Sequence, residues 1–296
     1  MIENVTNGLI YRAKGFWGGV NRLFYRSPAV LSTENSIQRI IDTRCSVARF
    51  GDGEFNLIRG VNLGFQDADQ SLSERLQEVL ATPRNGLEIG IPDVFGSLSA
   101  YTIKSARFWK AYMGMHRGEL IRLINLNRVY LNTNMTRFWS GYQDKARAVK
   151  IVEQFRKIWR DRDVVFVEGE LTRMGVGNDL FSEASSVCRV LCPATNAWRY
   201  YVEILNTIKG CGFPEDTLFI LALGPTATVL AYDLSAVGYQ ALDLGHLDVQ
   251  YEYLLQNATE KIALKGKYVN ESIDGRVVSD SIVDEEYLES IVARIN

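Results

Sequence analysis

Short apolar, β-branched runs recur along this chain, each closed by a glycine or polar turn and most followed by a stretch of helical period. Residues 45–50 break at Gly51-Asp52-Gly53, residues 164–167 at Glu168-Gly169, and residues 218–223, the most apolar run, at Gly224-Pro225-Thr226. Residues 87–91, 129–131, 187–192 and 240–244 read as further strands. After the N-cap candidate Asp69, Leu72, Leu76, Val79 and Leu80 keep to one helical face, as do Val149, Val152, Phe155, Ile158 and Trp159. Helices are also expected over 99–112, 118–124, 197–208, 225–234 and 249–255, and from Asp179. Strands that are apolar on both faces and alternate with helices must be covered on both sides. The fold class is therefore α/β: a single doubly wound, mainly parallel sheet with helices on both faces. The 296 residues divide into an N-terminal helical extension (1–31), that domain (32–257) and a C-terminal extension packed on it (258–296), read as a hairpin with a final helix from Asp284.

Composition narrows the partners. A net charge of −2 gives no overall basic field, which excludes duplex nucleic acid as the expected partner. His116 and His246 are the only histidines, so a catalytic zinc built on imidazoles has no material, and any metal site must rest on carboxylates, which suit manganese or magnesium. The four cysteines form no C-x-x-C pair and read as reduced, structural thiols. No signal-peptide pattern and no apolar run of membrane-spanning length is present, so a cytoplasmic protein is expected. Residues 9–25 mix Arg12, Lys14 and Arg22 with Tyr11, Phe16, Trp17, Phe24 and Tyr25, a segment suited to peripheral contact with the inner face of the membrane or to packing on its own domain.

In open α/β sheets, ligands bind beyond the carboxyl ends of the strands, and this sequence loads those ends. Asp52 and Glu54, Asn132 and Asn134, Glu168, Gly224 to Thr226, and His246 with Asp248 all follow strands. Two carboxylates two residues apart in an extended turn can share one cation, which in turn can bridge the phosphates of a nucleoside diphosphate, with Arg49 as a phosphate contact. Asp-Gly is equally a common turn dipeptide. Gly224-Pro225-Thr226 opens a helix whose free N–H groups suit a diphosphate, or are merely capped. It lacks the Gly-Lys-Ser/Thr of a P-loop, and Gly175-x-Gly177 precedes no helix as a dinucleotide fingerprint would. Asp248, His246, Glu168 and Asp179 are the candidate bases; Asp248 and Asp179 serve equally as helix caps.

Together these residues resemble the GT-D type glycosyltransferases. The resemblance rests on Arg49-Phe50-Gly51-Asp52-Gly53-Glu54-Phe55, Leu131-Asn132-Thr133-Asn134-Met135-Thr136-Arg137, Val167-Glu168-Gly169, Gly175-Val176-Gly177-Asn178-Asp179-Leu180-Phe181, Leu223-Gly224-Pro225-Thr226-Ala227-Thr228 and Gly245-His246-Leu247-Asp248, in family order. It implies a metal-dependent enzyme that transfers a hexose, typically glucose from UDP-glucose, to a glycan acceptor on a protein or lipid carrier. The family's D-x-E motif falls on Asp52 and Glu54 and binds a divalent ion, usually manganese. Arg49, Asn132, Asn178, Asp179, Gly224 and Thr226 are the expected donor contacts. Asp248, with His246 and Glu168 behind it, is the expected catalytic base of an inverting transfer. The alternative is a metal-dependent phosphohydrolase acting on a nucleotide or sugar phosphate, which the same carboxylates would serve.

Overall fold

The computed structural model describes residues 26–272, 274–276, 278 and 285–296. The segment expected at the membrane, most of the expected N-terminal extension, and Asp284 lie outside the described residues. The described strands are β1 (Ala29–Val30), β2 (Ser46–Arg49), β3 (Leu87–Ile91), β4 (Val129–Asn132), β5 (Asp163–Gly169), β6 (Ser186–Cys192), β7 (Leu218–Ala222), β8 (Gln240–Asp243) and β9 (Ile291–Arg294). They form one sheet in the order β1-β4-β3-β2-β8-β7-β5-β6-β9, parallel at every pairing. The helices are α1 (Thr33–Thr43), α2 (Asp52–Ile58), α3 (Gln70–Ala81), α4 (Ile103–Leu123), α5 (Ala148–Trp159), α6 (Tyr201–Gly210), α7 (Pro225–Ala236), α8 (Leu247–Leu255) and α9 (Glu285–Glu289).

Successive strand residues point to opposite faces, so each central strand feeds two cores. Val165, Val167, Phe219 and Leu221 pack with α3, α4, α6 and α7, whereas Val164, Phe166, Leu218 and Ile220 pack with α1, α5 and α8. The expected α/β, doubly wound architecture is present, and all four cysteines are free thiols. Among the described residues, no helix is long and apolar enough to cross a membrane.

Four local readings change. Residues 52–54 open α2 instead of an extended turn, with Gly51 as N-cap and Glu54 returning to its amide. The two helices expected over 99–112 and 118–124 are the single 21-residue α4, because the buried Trp109, Tyr112, Met113, Arg117 and Leu120 form a continuous stripe across Gly114 and Gly118. No helix starts at Asp179. Gly175 and Gly177 take positive φ (75° and 79°), and residues 170–185 run as turns. The tail supplies both a short antiparallel bridge, Leu264 with Lys267, and the unexpected edge strand β9 beside β6.

Connections leave β2 toward β3 on one side and leave β8 toward the distant β9 on the other. The sheet thus divides between β2 and β8, and a crevice opens beyond their carboxyl ends.

Candidate active site at the carboxyl edge of the sheet

That crevice is lined from β2 and α2 by Arg49, Asp52 and Glu54, from the turn after β4 by Asn134 and Arg137, and from β7 by Leu223 and Gly224. Asp243 and His246 enter from β8, Phe65 from the loop before α3, and Tyr268 to Glu271 from the tail.

The helical start at Asp52 alters how the two motif carboxylates are held. Residues two apart on a helix lie about 200° apart around the axis, so Asp52 and Glu54 do not project side by side as an extended turn would allow. Glu54 Oε2 instead folds back to accept the Gly51 amide at 2.7 Å. Both carboxylates still line the cleft, and neither makes an ion pair among the described residues. Burial, then the nearby Asp243 charge, pushes the Glu54 carboxyl up to about 7, and burial also raises that of Asp52. Buried hard oxygen donors without an ion-pair partner fit a divalent cation. Among the described residues no set of three or more His, Cys, Asp or Glu gathers for a metal, so the remaining ligands would be substrate oxygens and water, as is usual for magnesium-type sites.

Arg49 is committed before any ligand arrives. Its Nη2 donates to Asp243 Oδ1 at 2.7 Å and its Nη1 to Thr136 Oγ1 at 2.7 Å. Thr228 Oγ1 in turn donates to the Arg49 carbonyl at 2.9 Å and to Asp243 Oδ2 at 3.2 Å. This clamp joins β2, β8 and α7 under the cleft floor. On the wall, Arg137 meets both oxygens of Glu271 at 2.9 and 2.7 Å, Lys261 reaches the same carboxylate at 2.6 Å, and Arg137 Nη2 stands 3.3 Å from His246 Nε2. Burial, then the Arg137 charge, holds His246 down to about 3, so its imidazole is neutral.

Gly224 is the N-cap of α7, with φ 54° and ψ −141°, a conformation essentially restricted to glycine. A Cβ there would meet the Phe65 ring at 2.6 Å. Asn196 fixes Phe65 in that place: its amide donates to the Phe65 carbonyl at 2.8 Å and its Oδ1 accepts from the Asp67 amide at 2.7 Å.

Other expected site residues lie elsewhere. Asp248 is buried behind the cleft, accepting from Lys267 Nζ at 2.7 Å, Asn178 Nδ2 at 2.8 Å and the Gly175 amide at 3.0 Å. Asn178 belongs to the same knot, and Asp248 sits inside the first turn of α8, so it is not its cap. Glu168 is fully buried against Arg189 and accepts the Met174 amide at 2.7 Å. Asp179 is on the outer surface, 3.0 Å from Arg156. Asn132 is buried and donates to the Tyr142 hydroxyl at 2.9 Å, and Thr226 is buried with its hydroxyl unpartnered. The cleft therefore gathers Arg49, Asp52, Glu54, Gly224 and His246, but not Asn132, Glu168, Asn178, Asp179, Thr226 or Asp248. Sequence reasoning passed over Asp243, whose signal is a lone carboxylate in an otherwise uncharged strand. It passed over Arg137, which closes a recognised motif, and Glu271, which nothing local announces.

Comparison with known proteins agrees with this geometry. The family model described as "Glycosyltransferase GT-D fold" matches residues 47–272. The chain is 37% identical over 247 residues to "Probable glycosyl transferase Gly" of Streptococcus gordonii, covering 83% of this chain and 36% of that protein. It is 34% identical over 267 residues to "Glycosyltransferase GlyD" of Streptococcus pneumoniae, covering 90% of this chain and 32% of that one. The chain thus spans about a third of the length of these curated relatives. Among solved structures, one described as a highly conserved domain with a distinct glycosyltransferase fold superposes with a TM-score of 0.85 at 34% identity, covering 97% of this chain and all of the other. A new glycosyltransferase from Streptococcus sanguinis also gives a TM-score of 0.85 at 34% identity, over 91% of this chain and all of the other.

Proposed function

The chain belongs to the GT-D-fold glycosyltransferases, and on that premise we propose that it transfers a hexose, glucose from UDP-glucose, to a glycan acceptor on a protein or lipid carrier. The observation that carries this reading is the pair of cleft carboxylates, Asp52 and Glu54, raised by burial and lining the same cleft as the N-terminus of α7 at Gly224. They would hold the divalent cation, manganese or magnesium, which when bound neutralises charge on the departing diphosphate. The family sets aside the phosphohydrolase alternative.

This chain's own groups then divide the work. The N-termini of α2 and α7 both open into the cleft and present backbone N–H groups and positive dipole ends to phosphate oxygens. Arg49 shapes the floor through its clamp with Asp243, and Phe65 over Gly224 leaves an apolar surface against which a base or sugar ring packs. His246 is the one of the four candidate bases that lines the cleft, and we assign it the acceptor hydroxyl's proton in an inverting transfer. Burial is the larger cause of the depression, and a diphosphate's negative charge would offset the second, Arg137, and so raise the imidazole's proton affinity.

The test is thermal unfolding with UDP, with and without manganese. UDP at a hundred times its Kd should stabilise the fold by about 2.7 kcal/mol when the cation is present, and not in chelator. UDP stabilisation that is indifferent to chelator would overturn the metal site. Free UDP produced in proportion to acceptor supports transfer, whereas free glucose produced equally without acceptor refutes it.

A further inference from the structure

Arg137 ends the short helical turn Thr133–Arg137 after β4, and its guanidinium is shared between two cleft residues. Nη1 donates to Glu271 Oε2 at 2.9 Å, while Nη2 lies 2.7 Å from Glu271 Oε1 and 3.3 Å from His246 Nε2. A guanidinium has five N–H donors and no acceptor, so in the second contact the imidazole must accept. That fixes the form of the ring. It is neutral, its proton is on Nδ1, and its one basic nitrogen, Nε2, is the one that Arg137 covers. The other charges acting on the ring are Glu271, Arg49 and Lys261.

The same guanidinium reaches the carboxylates at the donor end of the cleft. After burial, Arg137 is the largest influence on Asp52, and its charge is felt by Glu54 as well. Carboxylate and phosphate present a guanidinium with the same paired oxygens, so Glu271 meets Arg137 as a phosphate would. Nor does Glu271 depend on Arg137 alone, since Lys261 Nζ stands 2.6 Å from its Oε2. Arg137 can therefore turn away without leaving that carboxylate unpaired. Arg49, by contrast, is held beneath the floor by Asp243 and Thr136.

We propose that Arg137 is a donor-operated cover on the proton acceptor: it masks His246 Nε2 in the free protein, and a nucleoside diphosphate entering beside Asp52 and Glu54 draws its guanidinium onto phosphate and exposes that nitrogen. The proposal rests on the transfer reading, with His246 as base. Once Nε2 is exposed, the acceptor hydroxyl gives it a proton while the hydroxyl oxygen bonds to the anomeric carbon. The bond from that carbon to the diphosphate oxygen breaks, and its electron pair leaves on the diphosphate. The new imidazolium N–H faces Glu271 Oε1, 3.6 Å from Nε2, and the proton passes to solvent before the next turnover. Donor must bind before acceptor, because an acceptor arriving first meets a covered base.

The test is nitrogen-15 NMR of protein labelled in its histidine rings. His116 is the only other histidine, so His246→Ala assigns both rings. In the free protein at neutral pH, His246 should carry its proton on Nδ1, with Nε2 shifted upfield by the hydrogen bond it accepts. Saturating UDP with magnesium should move Nε2 downfield, away from the bonded position, and magnesium alone should leave it in place. Arg137→Lys keeps a charge beside Glu271 but has no fork. Its Nε2 should be exposed before UDP is added and respond little to it, and its UDP affinity should fall about tenfold or more through loss of a charged hydrogen bond. An arginine that only supports the fold would produce neither change, and the wild-type spectra decide even if the variant is unstable. A proton on Nε2 in the free protein, or an Nε2 resonance that UDP with magnesium leaves in place, would overturn the cover. The transfer reading survives that result if UDP still stabilises the fold with cation and is released in proportion to acceptor. Exposure of Nε2 without transfer to an acceptor would instead count against the transfer reading, and absence of UDP binding would overturn both.

Discussion

His246 and Asp248 are two residues apart at the end of one strand, and only the imidazole reaches the cleft. His246 precedes the first residue of α8 and Asp248 is the second, so the helix turns their side chains to different sides. The sequence places both at the right strand end without ranking them, because the ranking depends on where α8 begins. Substitution should now separate them. His246→Ala should lower kcat by about 10²-fold or more while leaving stability nearly unchanged, as loss of a proton acceptor does. Asp248→Asn should instead leave Lys267 with Glu252 alone, 3.1 Å away, and cost about 3 kcal/mol of stability, read from the urea midpoint. A stable Asp248→Asn protein with kcat reduced as far as that of His246→Ala would reverse the assignment. Glu54→Gln offers a third readout. It removes a charge that burial already disfavours, so unfolding stability should change by less than about 1 kcal/mol, or rise, while manganese-dependent UDP binding disappears.

Among the elements, the N-terminus of α7 depends most on one residue. Gly224 holds φ 54° and ψ −141° with the Phe65 ring against its missing side chain. Gly224→Ala should cost about 1–3 kcal/mol from the backbone alone, and UDP affinity should fall because the cleft edge shifts. Pairing it with Phe65→Leu should restore only part of the stability, because the clash is relieved and the dihedral is not; complete rescue would show that backbone strain contributes nothing. This turn was legible in sequence because β7 is apolar at every position and Gly-Pro follows at once. The same signal marked β2, β3, β5, β6 and β8, all buried strands with abrupt ends. Elements whose evidence is distant were not legible. Strand β9 alternates between half-buried and exposed residues, and its partner β6 lies about a hundred positions earlier in the chain. Helix α2 was read as a turn because Gly51-Asp52-Gly53 is turn chemistry until the Glu54 carboxylate returns to the Gly51 amide. The same distance hid half of the site: Glu271 and Tyr268 enter the cleft from a tail that looks polar and unpatterned on its own.

For the molecule as a whole, that tail is what closes the crevice, and a small number of charges hold it. Glu271 joins it to the wall through Arg137 and Lys261, and Lys267 joins it to α8 through Asp248 and Glu252. Burial alone would disfavour the Glu271 anion, but Arg137, the His246 ring and Lys261 outweigh it and hold the carboxyl far below the usual carboxylate range. A depressed carboxyl pKa contributes stability that is fully present above the unfolded value, near 4.3, and is lost as pH falls toward the folded one. Acid should therefore release the tail before it unfolds the sheet, where burial raises the Glu168 carboxyl of β5 instead of lowering it. Hydrogen exchange at residues 261–272 should accelerate as pH drops below about 4, after correction for the intrinsic pH dependence of exchange, while β5 and β7 stay protected. Glu271→Gln should show the faster exchange already at neutral pH and lose most of the additional acid response. If the variant's tail exchanges as slowly as wild type at neutral pH, the Arg137–Glu271 pair is not what holds the segment over the cleft.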